Sequence, residues 1–149
     1  MSTLTVAPTV AVQSEGVRVA LARARVATIV QGVLRAEMVR SALVSVTFVT
    51  TRRMAALHAK HLAHQGPTDV ISFGFRDTAG ATIGDIYICP AVARTNARAF
   101  GRPVREELVR LVVHGTLHVL GYDHPAGEAR LTCPMWRRQE RYVRRWLAA

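Results

Sequence analysis

Leu111-Val-Val-His114-Gly-Thr-Leu-His118-Val-Leu-Gly121-Tyr-Asp-His124 is the stretch on which the reading of this chain turns, because it places three histidines within eleven residues. His114 and His118 are four apart, so on an α-helix they differ by roughly 40° and stack on one face. Gly121 falls where a helix needs a left-handed C-terminal residue, and the turn Gly-Tyr-Asp can then swing His124 back toward the pair. Three imidazoles with one open position form the arrangement of a catalytic zinc. A closed structural site usually has four protein ligands, often cysteines. The competing reading has the three histidines merely bonding backbone carbonyls on a buried helix. A run this apolar seldom holds three imidazoles without a use for them.

The spacing His-x3-His-x5-His is similar to that of a zincin metal helix, with one difference: Gly115 stands where a metalloprotease carries its general-base Glu. Peptidase chemistry thereby loses its best candidate base. The run from His114 to His124 resembles the signature of the YbeY family, bacterial zinc-dependent endoribonucleases of ribosomal RNA maturation and ribosome quality control. Upstream, Pro67-Thr-Asp-Val-Ile-Ser-Phe73 resembles the family's second motif and Gly84-Asp-Ile86 its third, in the same order, and Met135 also matches. The likeness covers about residues 54 to 143, while the first fifty residues fit only in their pattern of elements. One departure stands out: the family usually has an Arg shortly before the Pro-Thr-Asp motif, where this chain has Leu62.

With 149 residues, half of them hydrophobic, the chain is long enough for one domain with a core and too short for two comfortable ones. Residues 1–149 are therefore read as a single domain. The 20 basic against 10 acidic side chains give a formal charge of +10, and Lys60 is the only lysine. Such a surface suits a polyanion, since arginine binds phosphate through a planar fork and stacks on bases. A base composition favouring Arg codons would account for Arg in place of Lys, but not for the net charge. Cys89 and Cys133 are too few for a disulfide framework or a cysteine zinc site, and read as free thiols in a reducing compartment. No charged leader with a cleavage site and no apolar run of ~20 residues is seen, so a cytoplasmic protein without membrane contact is expected.

Along the chain, Leu4 to Gln13 reads as a strand with Pro8 near its edge, after which Ser14 caps a long helix from Val17 to about Met38. Ala42 to Val49 reads as a buried second strand, and Thr50 or Thr51 caps a helix over about 52–63. That helix carries His58 and His61, with His64 at its end. Their spacing of three permits a second metal site, though assisting carboxylates are absent and solvent-facing histidines suit a helix end equally. Thr68 to Phe75 and Ile83 to Ile88 form a hairpin of third and fourth strands. Pro90 opens a helix to Phe100 with Arg94 and Arg98 on one face, as phosphate contacts. Glu106 and Glu107 start the metal helix, and a last amphipathic helix with a dense Arg face runs from about Ala129 to Leu147. The fold expected is one α+β domain, a mixed sheet of about four strands with about five helices, similar to the zincin-like fold of the family.

The expected activity is that of a zinc-dependent endoribonuclease acting on single-stranded or ribosome-associated RNA, one Zn²⁺ per chain held by His114, His118 and His124. Zinc lowers the pKa of bound water toward ~7 or stabilises charge developing on phosphorus. Asp123, beside the third ligand, is the nearest candidate for moving a proton, and a turn-stabilising Asp fits the same position. Thr68, Asp69, Ser72 and Asp85 belong to segments that the resemblance assigns to the wall of the site, and Asp85 there would orient a metal ligand from behind or bind a backbone turn. RNA as the substrate, with ribosomal RNA or the ribosome as partner and no obligate protein partner, rests on the resemblance. Two rivals are a metal-dependent hydrolase of peptides or small molecules and a non-catalytic ribosome-binding protein that zinc merely steadies. The first lacks its Glu, and the second gains from Leu62.

Overall fold

Strands β1 (Thr9–Ser14), β2 (Ala42–Phe48), β3 (Val70–Arg76) and β4 (Thr82–Ile88) form one sheet in the order β1-β2-β4-β3. β2 runs parallel to both β1 and β4, and β3 pairs antiparallel with β4, so the sheet is mixed and β1 is an edge. The hairpin turn between β3 and β4 is closed by Asp77, whose Oδ1 accepts the amides of Ala79 and Ala81. Among the described residues five α-helices complete a single α+β domain: α1 (Arg23–Ala36), α2 (Thr51–Leu62), α3 (Pro90–Ala99), α4 (Val104–Val119) and α5 (Pro134–Ala148). The computed structural model describes residues 7–62 and 68–148, and the side chains of His61 and Leu62 lie outside that description, as do His64 and Pro67 altogether.

α1 and α4 lie on one face of the sheet, and their apolar sides share the main core with it: Val26, Ile29 and Val33 of α1 with Val46, Ile86, Leu108 and Val112. On the other face α2 buries Met54 and Leu57 against Ile71, with Phe73 and Tyr87 packed around them. The period of two along β4 sorts its residues accordingly: Gly84, Ile86 and Ile88 are buried, while Asp85 is exposed.

Two glycines decide how close α4 comes. Gly74 and Gly84 are cross-strand partners. A Cβ on Gly74 would stand 2.5 Å from the carbonyl oxygen of Val119, and one on Gly84 would stand 2.4 Å from its Cγ1. The C-terminal end of α4 is thus sunk into a dent in the sheet that side chains there would fill. The same contact explains Gly115, whose added Cβ would lie 2.7 Å from Ile86 Cγ2. Position 115 faces the sheet, so it is a packing position with no room for a glutamate.

Three sequence expectations are corrected. Ser14 ends β1 and caps nothing, and α1 begins at Arg23 after Ala22. Val17 and Val19 are half-buried, Arg18 and Ala20 exposed, and Leu21 buried. That is an extended period of two, set off by Gly16 at φ +65°, where the apolar spacing had suggested helix. The last α-helix begins at Pro134, not Ala129, because Gly127–Leu131 forms a separate 3-10 helix and Pro134 suits a first helical turn. Thr50 does cap α2, its Oγ1 accepting the amide of Arg53 at 3.1 Å.

Candidate metal centre

His114 and His118 project from the same face of α4, with ring centroids 4.6 Å apart. After Leu120 the helix ends in a double hydrogen bond: Gly121 N–H to the His118 carbonyl and Tyr122 N–H to that of Leu117, with Gly121 at φ +98°. This glycine-dependent reversal returns the chain along the helix. It brings the His124 ring centroid to 5.2 Å from that of His114 and 5.0 Å from that of His118. The three rings each offer one nitrogen, and these nitrogens lie within 4.8 Å of one another.

The other ring nitrogens of His114 and His124 are occupied, which is what fixes their tautomers. Gln139 Nε2 donates to Glu140 Oε2, so the amide carbonyl faces His114 and accepts from Nδ1–H at 2.6 Å. His124 Nδ1–H donates to the carbonyl of Pro125 at 3.0 Å. Burial, the largest effect, pushes His114 down to about 4 against the lift from the Gln139 bond, with the neighbouring imidazoles lowering it further. Burial, joined by His124, also lowers His118. Both rings are therefore neutral at pH 7 with a lone pair to give, and this donor set fits a transition-metal ion.

The trio opens into a cavity of about 750 Å³ whose lining includes Thr68 and Asp69 just before β3 and Ser72 within it, with Asn96 and Phe100 on the side of α3. Burial pushes the Asp69 carboxyl above its ordinary value, against hydrogen bonds from backbone amides and Thr68 and the charge of Arg130. Asn96 Nδ2 donates to its Oδ2 at 3.2 Å.

A family model described as endoribonuclease YbeY matches residues 10–147. The chain belongs to the YbeY family. Among curated relatives, endoribonuclease YbeY of Bifidobacterium animalis subsp. lactis is 42% identical over 92 residues, 56% of this chain and 51% of that protein. The same-named protein of Frankia casuarinae is 35% identical over 135 residues, 82% and 66%. The chain spans about half to two thirds of the length of these relatives. The solution structure of TM1509 from Thermotoga maritima superposes with a TM-score of 0.61 at 26% identity, covering 94% of this chain and 90% of that one.

The YbeY-type domain does not bring every candidate residue to the cavity. Asp85 points from the sheet face opposite α4, where its Oδ1 accepts from Ser45 Oγ of the neighbouring strand at 2.6 Å. The expectation that it walls the site is thereby corrected, because alternation along β4 gives Gly84 to the helix and Asp85 to the other side. Asp123 is exposed, and its Oδ1 accepts the His124 amide at 2.8 Å, the contact of a turn former. Arg94 and Arg98 lie on the exposed side of α3, away from Asn96 and Phe100. His58 is half-buried, and among the described residues the trio on α4 and its turn is the only such metal-competent group.

Three contributors escaped the sequence reading. Gln139 is a polar residue in the buried stripe Met135, Gln139 and Val143 of α5, and a polar residue at an apolar position was its signal. Glu37, just past α1, accepts from Tyr122 Oη at 2.5 Å, from Tyr142 Oη and from Arg138 at 2.9 Å, tying the turn before His124 to α1 and α5. Arg130 reaches the cavity from the 3-10 helix. For Glu37 and Arg130 the sequence carried no signal, since both act through tertiary contact.

Proposed function

We propose that this chain is a metal-dependent endoribonuclease, with zinc as its metal, acting on single-stranded RNA in ribosomal RNA maturation and ribosome quality control in the cytoplasm. The observation that carries the reading is the convergence of three imidazole nitrogens inside a cavity, with the His114 and His124 rings each held by a hydrogen bond on the far side. The names of the family's curated members supply RNA as the substrate class. His114, His118 and His124 would hold the ion, which when bound supplies a Lewis acid for charge developing at phosphorus.

The chain's own residues supply the rest. Asp69, with its pKa raised by burial, stands inside the cavity as the group to carry a proton, whereas Asp123 holds the turn that presents His124. Thr68 and Ser72 put hydroxyls on the same wall to bond an RNA strand. The exposed Arg94 and Arg98 and the Arg-rich α5 draw the polyanion from outside. No helix among the described residues is long and apolar enough to cross a membrane.

The test is metal analysis of the purified protein joined to cleavage of single-stranded and duplex RNA, with His114→Ala, His118→Ala and His124→Ala as controls. About one zinc per chain, lowered in each variant, with cleavage of single strands lost alongside it, is the expected result. Unchanged metal content in all three variants would remove the central claim. RNA binding without cleavage above the His114→Ala background would leave a non-catalytic, metal-steadied RNA-binding protein.

A further inference from the structure

Three arginines line the cavity, and two of them are already neutralised. Arg110 is buried, and its guanidinium is saturated: Nε and Nη2 bond the two oxygens of Glu140 at 2.9 Å each, and Nη1 bonds Glu107 at 3.0 Å and Glu106 at 3.3 Å. Arg102 lies 3.9 Å from Glu106 and 3.8 Å from Glu107, with its guanidinium over the Phe100 ring at 5.3 Å. This wall sets three carboxylates against two guanidinium groups, so it has no positive charge left for an anion.

Arg130 is different. It enters from the 3-10 helix Gly127–Leu131, six residues beyond His124, and no described carboxylate lies within ion-pair distance of it. Its charge is felt by His114 and by Asp69, the groups that line the inner part of the same cavity. Its backbone is pinned by Cys133, whose Sγ–H donates to the Arg130 carbonyl at 3.2 Å. Of the three arginines lining the cavity, Arg130 is the one whose guanidinium no described carboxylate engages in an ion pair, and its five-donor planar fork matches two oxygens of a phosphate group.

We propose that Arg130 is the phosphate-holding residue of this cavity, binding a phosphodiester of the substrate and presenting it to the three histidines. The inference rests on the RNA reading for the identity of the substrate, while the ligand chemistry, a phosphate oxygen pair, rests on the cavity alone. Charge-assisted hydrogen bonds of this kind contribute about 1.5–3 kcal/mol, hence roughly 10- to 150-fold in affinity.

The experiment compares wild type, Arg130→Ala, Arg130→Lys and, as an outside control, Arg144→Ala on α5. Each is titrated with a cleavage-resistant 2′-O-methyl RNA oligonucleotide by fluorescence anisotropy and with inorganic phosphate by NMR of the histidine ring resonances. Metal content and melting temperature are recorded alongside. Arg130→Ala should weaken oligonucleotide binding at least 10-fold and abolish the phosphate-induced shifts of the His114 and His118 rings, with metal content unchanged. Arg130→Lys should recover only part of the loss, and Arg144→Ala should leave the ring shifts intact. Affinity within twofold of wild type and intact ring shifts in Arg130→Ala would overturn the proposal, even if RNA cleavage stands. Phosphate binding that needs Arg130, in a protein that neither binds nor cleaves RNA, would uphold the residue's role and sink the RNA reading instead. Absence of both phosphate and RNA binding in the wild type would sink both.

Discussion

Gln139 governs the orientation of His114, because its carbonyl is the acceptor that keeps the proton on Nδ1 and the lone pair on Nε2. Gln139→Leu keeps a side chain of similar size in a buried position while removing that acceptor. Metal affinity should fall roughly 10- to 100-fold with the fold retained, measured by competition with a chromophoric chelator. Unaltered affinity would show that packing alone orients the ring. His114 also sets a pH dependence. Burial holds its folded-state pKa at about 4, below the ~6.5 of an unfolded chain. As pH falls the unfolded state takes up the proton first, so metal-free stability owed to the neutral ring is intact above about pH 6.5 and is lost between there and about pH 4. Urea midpoints of metal-free protein should decline over that window, and the decline should be shallower in His114→Ala. Identical slopes would mean that the ring is not held neutral in the folded state. Both effects depend on residues 25 apart in sequence, which is why the histidines were legible in the sequence and their supporting groups were not.

At the scale of elements, the seat of α4 in the sheet carries the site. The Gly74–Gly84 pair admits the helix end from which His118 and the Gly121 turn depart. Gly74→Ala would drive a methyl to 2.5 Å from a backbone carbonyl that has no rotamer with which to escape. A destabilisation at or above the roughly 1–3 kcal/mol typical of overpacking should follow, together with weakened metal binding as the helix end lifts, read from denaturant midpoints and chelator competition. Full stability would show that α4 is free to ride higher on the sheet. Most elements were legible, because strands with β-branched runs and helices with proline or threonine at their starts announce themselves. The exceptions were Val17 to Leu21, whose few apolar residues satisfy both a helical and an alternating template, and residues 127–131, where a 3-10 helix interrupts what composition joins to α5.

Over the whole molecule the +10 charge is unevenly used: Arg110 and Arg138 are bound into ion pairs with buried or half-buried glutamates, while Arg94, Arg98, Arg137, Arg141 and Arg144 face outward. RNA affinity should therefore fall steeply with salt, and replacing Arg94 and Arg98 together should flatten the slope by about two while leaving metal content untouched. A flat salt profile in the wild type would mean that the outward arginines serve another partner. The metal trio, its helix and the turn that closes it were legible in the sequence alone, because their spacing is local: four residues apart on a helix and one left-handed glycine direct three side chains toward one point. What only the tertiary structure decided is which groups surround that trio. Sheet alternation sends Asp85 away, packing on Ile86 excludes a glutamate at Gly115, α5 and the end of α1 deliver Gln139 and Glu37 from far along the chain, and the fold of the 3-10 helix turns Arg130 into the cavity. Contacts of that kind depend on how faces meet, and a one-dimensional pattern specifies each face without naming its partner.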